Sequence, residues 1–475
     1  MRYISTRGQA EPVSFLDAVL AGLAPDGGLY VPEAWPSALN REGFRSAAAT
    51  GHFSFTALNV LKAFAGDDLE WDEAASLAND AYSAIPGADA PTAWPDTVTP
   101  LVQLGPGKWM LELFHGPSLS FKDVAMQLIG PLYDFALAKR DRRLTVVCAT
   151  SGDTGGAAAE ALKGRDRVDL FILLPRGRVS DVQRLFMTAS GAPNVHAIEI
   201  DGDFDACQAI VKALFADKDF AARAQLSGVN SINWARIVAQ SVYFHIAANT
   251  LAAPGPVSFS VPTGNFGDAF SGYVAKRTGA PIGRILMATN ANDILARTMA
   301  TGRYERAKES RATISPAMDI QVASNFERIL FEALGRQGAA VKVLYDQFAQ
   351  SGGFDIPEGA MAMLREHFAG AAVGDPETIG SMRQAWSDGY LACPHTAVGL
   401  SASAKVDPSL AAPQVTLATA HPAKFPETVR QAIGISPPLP KKCADLLSRP
   451  ETAVGLPNDP AKVKALISER SRAWA

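Results

Sequence analysis

Leu144-Thr145-Val146-Val147-Cys148-Ala149 is an apolar, β-branched run that stops at Thr150-Ser151-Gly152-Asp153-Thr154-Gly155-Gly156, and a helical pattern then fills Ala157 to Lys163. A second run, Val168-Asp169-Leu170-Phe171-Ile172-Leu173-Leu174, ends at Pro175. A helical segment around 181–190, a third run at Val195-His196-Ala197-Ile198-Glu199-Ile200 and another helix from about 203 to 217 follow it. Strands that alternate with helices imply βαβ units around a parallel sheet. The rhythm resumes at Val257-Ser258-Phe259-Ser260-Val261, Ile285-Leu286-Met287-Ala288 and Val415-Thr416-Leu417-Ala418. The fold class is therefore α/β. Residues 300–390 read as mostly helical and charged, and a last helix is expected from about 460.

Toward the N-terminus the pattern changes. Val13, Leu16, Val19, Leu20 and Leu23 recur at helical spacing, and Ala24-Pro25-Asp26-Gly27-Gly28 is a turn that ends that helix. Further helical patterns lie at 54–65 and 71–84. Residues 1–90 are thus expected to form a small helical domain. Pro86-Gly87-Ala88-Asp89-Ala90-Pro91 and Pro95 mark a linker to a larger α/β unit, 91–475.

The 475 residues are 48% hydrophobic and 19% charged, which fits a well-buried globular protein. With a net charge of −4 and no basic block, no nucleic-acid partner is expected. No unbroken apolar run is long enough to cross a bilayer, so no membrane span is expected either. Cys148, Cys207, Cys393 and Cys443 are far apart and form no Cys-x-x-Cys pair, which fits a reducing compartment. The opening residues 1–8 show no signal-peptide core, so a cytoplasmic protein is expected.

The chemistry centres on Glu112-Leu113-Phe114-His115-Gly116-Pro117-Ser118-Leu119-Ser120-Phe121-Lys122-Asp123. A helical pattern follows, Val124 to Ile129, so Lys122 falls at the start of a helix between Phe121 and a carboxylate. The positive end of the helix dipole and apolar neighbours both penalise an ammonium. That lowers the amine's pKa and suits a Schiff-base lysine. A lone lysine also fits the surface of a first helical turn; two glycine-rich loops downstream weigh toward chemistry.

The first loop is 150–156. Its hydroxyls and N–H groups lie at the carboxyl end of a strand, where open α/β sheets bind ligands, and a carboxylate suits it. Many strand-to-helix turns share its composition. The second is Pro262-Thr263-Gly264-Asn265-Phe266-Gly267-Asp268, whose glycines let successive N–H groups converge on a phosphate. Asp268 is an awkward neighbour for an anion and is expected to cap the helix and point away. Neither a Walker A motif nor Gly-x-Gly-x-x-Gly is present. Thr419, in Thr416-Leu417-Ala418-Thr419-Ala420-His421-Pro422-Ala423-Lys424-Phe425, ends a strand. Its hydroxyl could meet a heterocycle nitrogen or be satisfied by backbone. Ser324-Asn325-Phe326-Glu327-Arg328 and Asn230-Ser231-Ile232-Asn233-Trp234-Ala235-Arg236 each combine amides with an arginine. Such sets bind phosphate or carboxylate, and they equally build helix-start capping networks. No His-Glu-x-x-His, Cys/His cluster or Gly-x-Ser-x-Gly occurs, so neither a metal centre nor a hydrolase nucleophile elbow is expected.

Taken in order, residues 115–123, 150–155, 264–268 and 324–328, with Tyr3-Ile4-Ser5-Thr6-Arg7-Gly8 and Asp26-Gly27-Gly28-Leu29-Tyr30-Val31-Pro32, resemble the threonine synthases. These are pyridoxal-phosphate enzymes of fold type II, and the likeness, nearly chain-long, is to the shorter bacterial and fungal type. It implies two lobes, each a mainly parallel sheet flanked by helices, with the smaller lobe at about 111–249. It implies a lyase that converts O-phospho-L-homoserine and water to L-threonine and phosphate, the last step of threonine biosynthesis; a monomer or homodimer is expected. Lys122 would hold pyridoxal 5′-phosphate and shuttle protons. Gly264, Asn265, Phe266 and Gly267 would cradle the cofactor phosphate, and Thr419 would contact the pyridine nitrogen. Ser151, Asp153 and Thr154 would line the site for the substrate's α-carboxylate and the cofactor ring. Asn325, Arg328 and Arg236 would meet the substrate phosphate. The alternatives are a phospho-lyase giving 2-oxobutyrate and a non-catalytic binding protein on the same fold.

Overall fold

In the computed structural model, which describes residues 1–83, 94, 97–251, 255–406 and 413–474, the apolar runs become the inner strands of two sheets. One has five parallel strands in the order Ala453–Leu456, Val195–Ile200, Val168–Pro175, Leu144–Ala149, Leu226–Ser227. The other has six, in the order Phe368–Ala372, Ile282–Thr289, Val257–Pro262, Gln414–Ala418, Lys108–Glu112, Leu101–Gly105, antiparallel only at the last pair. Val168–Pro175 and Val257–Pro262 are buried at every position. Strands covered on both faces have no solvent side; Val168–Pro175 is accordingly apolar but for Asp169, and Val257–Pro262 admits only the small Ser258 and Ser260 between its apolar residues.

Three expectations are amended. The five-stranded sheet takes an edge strand from Ala453–Leu456, far outside the expected 111–249. The helical stretch 300–390 is interrupted by Phe368–Ala372, which extends the six-stranded sheet. The N-terminal segment is not purely helical, since Tyr3–Ser5 pairs antiparallel with Tyr30–Pro32. The expected linker, Pro86 to Pro91 with Pro95, lies outside the described residues.

The helix Trp234–Leu251 is buried continuously from Trp234 to Ala248, as befits a helix packed on all sides. Helices Glu42–Ala49, Phe53–Ala65, Lys122–Ala138 and Gly267–Arg277 pack around it. Trp71–Tyr82 packs on Lys122–Ala138, and the Tyr82 hydroxyl donates to the Val124 carbonyl at 2.7 Å. The N-terminal helices therefore brace the helix that begins with Lys122. Among the described residues no helix is long and apolar enough to cross a membrane.

Candidate active site

Lys122 opens the helix Lys122–Ala138, as its spacing predicts. The turn before it is built by Asp123, whose carboxylate accepts from Ser118 N–H (2.9 Å), Ser118 Oγ (2.6 Å) and Ser120 N–H (3.3 Å). Gly116 is required there, because a Cβ would lie 2.3 Å from the Asp123 Cβ. Burial pushes the Asp123 carboxyl up to about 6. Backbone bonds then fasten the turn to the end of the strand Gln414–Ala418: Phe121 N–H donates to the Thr419 carbonyl (2.8 Å) and His421 N–H to the Leu119 carbonyl (3.0 Å). Lys122 and Thr419 thus share one cleft of about 1060 Å³, which the strand-end loops of both sheets line.

The Lys122 amine lies 4.5 Å from the centre of the Phe121 ring and 3.5 Å from Asp153 Oδ2. Burial lowers its pKa; Asp153 opposes this, while Arg236 and Lys424 add to it. The direction expected from sequence holds, with desolvation as its main cause.

In the first loop the Thr150 hydroxyl accepts from Gly152 N–H (2.9 Å) and Gly155 N–H (3.0 Å). Ser151, Asp153 and Thr154 line the cleft, and their backbone N–H groups have no acceptor among the described residues. Asp153 Oδ1 takes the Lys424 amine at 2.7 Å and the Gln183 amide at 2.9 Å. Burial opposes the charge on Asp153, but Lys424 and Lys122 outweigh it and hold the carboxyl well below its usual range. A carboxylate kept charged repels a second one. Asp153 thus lines the cleft with its side chain engaged by the two lysines and its backbone N–H left for a ligand.

The second loop joins the strand Val257–Pro262 to the helix Gly267–Arg277. The backbone N–H groups of Gly264, Asn265 and Phe266 have no acceptor among the described residues, and the loop lines the same cleft. Phe266 adopts a left-handed φ of 63°, and its ring packs against Phe326 and Phe368, so only its backbone faces the cleft. The capping role expected of Asp268 is overturned. Its side chain lines the cleft wall, accepts from the Tyr243 hydroxyl and leaves Oδ2 unpaired, and burial pushes it up to about 7.

The two arginine clusters part company. Arg236 lines the cleft, donates from Nη1 to the Val229 carbonyl at 3.2 Å and leaves Nε unpaired. Arg328 and Asn325 do not line it. Arg328 is 0% exposed and donates to the carbonyls of Tyr30 (3.0 Å) and Ile232 (2.6 Å) and to Asn325 Oδ1. Asn325 Nδ2 holds the carbonyls of Ser231 (3.1 Å) and Asn265 (3.2 Å). Both are walled behind the loop, with their donors engaged, so neither is offered to a ligand.

Sequence reading passed over Lys424 and His395. Both line or abut the Asp153 network, and burial brings His395 down to about 4 while its Nδ1 stays unpaired. The one signal for Lys424 is a lysine between apolar neighbours, Ala423 and Phe425; for His395 it is Pro394 opening a helix beside it. Among the described residues no group of His, Cys, Asp or Glu could hold a metal ion.

Comparison with known proteins agrees along the whole chain. Residues 2–82 match the family model for the threonine synthase N terminus, 96–420 that for pyridoxal-phosphate dependent enzymes, and 396–467 that for the threonine synthase C-terminal region. The chain is 47% identical over 472 residues to a threonine synthase of Pseudomonas aeruginosa, covering 99% of this chain and 98% of that one. A crystal structure of PLP-bound threonine synthase from Brucella melitensis superposes with a TM-score of 0.93 at 48% identity, covering 100% of both chains. The yeast threonine synthase structure gives 0.90 at 35% identity over 99% of this chain and 98% of that one.

Proposed function

The chain belongs to the threonine synthase family, and from that premise we propose that it converts O-phospho-L-homoserine and water to L-threonine and phosphate in the cleft around Lys122. One observation carries the reading: a buried lysine of lowered pKa shares a cleft with a strand-to-helix loop of unpaired N–H groups. Pyridoxal 5′-phosphate is the cofactor. The residues at hand fit it, because a Cβ on Gly264 would come within 3.2 Å of the Ala317 carbonyl and one on Gly267 within 3.2 Å of Asn325 Nδ2. At these two positions a side chain would crowd its neighbours, and bare backbone leaves N–H groups at a helix start that suit a phosphate.

In this reading Lys122 holds the cofactor, the N–H groups of Gly264, Asn265, Phe266 and Gly267 take its phosphate, and the Thr419 hydroxyl meets the pyridine nitrogen. The bound cofactor supplies an electron sink that acidifies the carbons beside the substrate amine. Lys122 Nζ accepts and returns the protons those carbons lose. One amine can do both only if its pKa lies near the working pH, and burial with two neighbouring cations lowers it in that direction. Ser151 and Thr154, with the backbone N–H groups of Ser151, Asp153 and Thr154, orient the α-carboxylate. Arg236 takes the substrate phosphate, while Arg328 and Asn325 act behind it as supports. Closure of the two sheets over the substrate would keep stray water out. Identical solution-scattering profiles with and without a substrate analogue would count against closure.

We read residues 1–90 as a supporting unit and 91–475 as the catalytic one, the former bracing the Lys122 helix. Net charge and four buried free cysteines support a cytoplasmic setting without a nucleic-acid partner; the chain is read as a monomer or homodimer.

Product analysis tests the reaction. Holoenzyme incubated with O-phospho-L-homoserine should yield L-threonine and phosphate one to one, and Lys122→Ala should yield neither. Release of 2-oxobutyrate without threonine would move the function to a phospho-lyase.

A further inference from the structure

A second lysine lies behind the cleft, on the far side of Asp153 from Lys122. Lys424 is 1% exposed, and its amine donates to Asp153 Oδ1 at 2.7 Å and to the Ser118 carbonyl at 2.8 Å. It follows the strand Gln414–Ala418 of the six-stranded sheet, whereas Asp153 follows the strand Leu144–Ala149 of the five-stranded one. The bond therefore joins the loops of the two sheets. With the Gln183 amide also on Oδ1, only Oδ2 faces Lys122, at 3.5 Å. That is longer than the roughly 2.7–2.9 Å of a charge-assisted hydrogen bond.

A carboxylate with no other partner would close on Lys122, fix it as an ammonium and remove it as a base. Lys424 opposes this twice, by anchoring the carboxylate at its other oxygen and by repelling a second ammonium. The remaining charged or titratable groups facing Lys122 are few. Arg236, on the helix Trp234–Leu251, repels its charge; Asp268, on Gly267–Arg277, favours it; His395, on Pro394–Lys405, is neutral above about 4.

We propose that Lys424 is a positioning residue for the reaction: it clamps Asp153 between the two sheets and so leaves the Lys122 nitrogen free to accept a proton. The inference rests on Lys122 carrying the cofactor. Two readouts on the holoenzyme test it. The visible cofactor band, followed against pH without substrate, reports the proton on the Lys122 nitrogen, and the acidic limb of the kcat profile reports the same group in turnover. Lys424→Met should move both midpoints upward by about one unit or more. Lys424→Arg should restore them to within a few tenths, and Asp153→Asn should move them down. A Lys424→Met enzyme slowed equally at every pH, with its band midpoint unmoved, would overturn the proposal. Should that variant fail to fold, an unmoved or raised midpoint in Asp153→Asn overturns it instead. A pH-dependent band that survives in Lys122→Ala would bring down the assignment of Lys122 itself, a different failure.

Discussion

Asn230-Ser231-Ile232-Asn233-Trp234-Ala235-Arg236 and Ser324-Asn325-Phe326-Glu327-Arg328 have nearly the same make-up, amides leading to an arginine at the start of a helix. The molecule uses them for opposite purposes. Both guanidinium groups are buried, and burial lowers Arg328 to about 9 and Arg236 to about 10. Arg328 has its Nε and both Nη groups bonded inside the protein, whereas among the described residues Arg236 bonds through Nη1 to the Val229 carbonyl and leaves Nε unpaired in a cleft. Residue type and burial do not separate strut from receptor; the donors left over do. The strut also builds the receptor, since Arg328 and Asn325 hold the carbonyls of Ile232 and Ser231, just ahead of the helix that carries Arg236.

The harshest way to break this contrast is Arg328→Gln. It orphans two buried carbonyls and an amide oxygen, and should lower folding stability by about 3–5 kcal/mol, read from the urea midpoint. Arg236→Gln should do the reverse. Its stability should stay within about 1 kcal/mol, while kcat/KM for O-phospho-L-homoserine falls about 100-fold, equivalent to about 2.7 kcal/mol of transition-state binding. Exchange of these outcomes between the two variants would mean that the wrong arginine has been put in the site.

The same distinction marks what the sequence could disclose. The runs at 144–149, 168–174, 195–200, 257–261 and 415–418 were legible because buried strands concentrate apolar and β-branched residues in short runs bounded by turn residues. Phe368-Ala369-Gly370-Ala371-Ala372 was not, since it lacks β-branched residues; Gly370 is bare because a Cβ would sit 2.9 Å from the Ala296 Cα. The two glycine-rich loops and Lys122 announce themselves through local spacing. Asp268 pairs with Tyr243, Lys424 with Asp153 and Arg328 with Tyr30 across 25, 271 and 298 residues. Partners that distant leave no periodicity in the chain, so whether a polar group is already satisfied becomes visible only in the fold.

Asp268 sharpens the contrast at its unsatisfied side. Burial lifts its carboxyl to about 7 from an ordinary value of 3.8, opposed by the Tyr243 bond, Lys122 and Arg236. A folded-state pKa above the unfolded one adds stability that is complete below about 4 and lost as pH rises through about 7. The cofactor-free protein should therefore lose about 1–3 kcal/mol between pH 5 and pH 8 in urea unfolding, more than Asp268→Asn loses over the same range. Equal losses in both proteins would show that Arg236 and Lys122 already neutralise Asp268, leaving less positive charge for an incoming phosphate.

The smallest effect tests whether strut and receptor communicate. Arg328→Lys keeps a buried cation but cannot reach three acceptors at once, so the Ser231–Ile232 turn should relax slightly. Arg236→Lys keeps the charge in the cleft but loses the planar fork. If Arg328 acts only on global stability, the two changes in kcat/KM add, as they do for independent sites. If it sets the entry to the Arg236 helix, the double variant should depart from additivity by about 0.5–1 kcal/mol. The expected sign is a shortfall: once the turn has relaxed, Arg236 no longer points its free Nε as well, and its replacement costs less. A coupling of zero would leave Arg328 a strut for the fold alone and confine the work of the site to the residues that line the cleft.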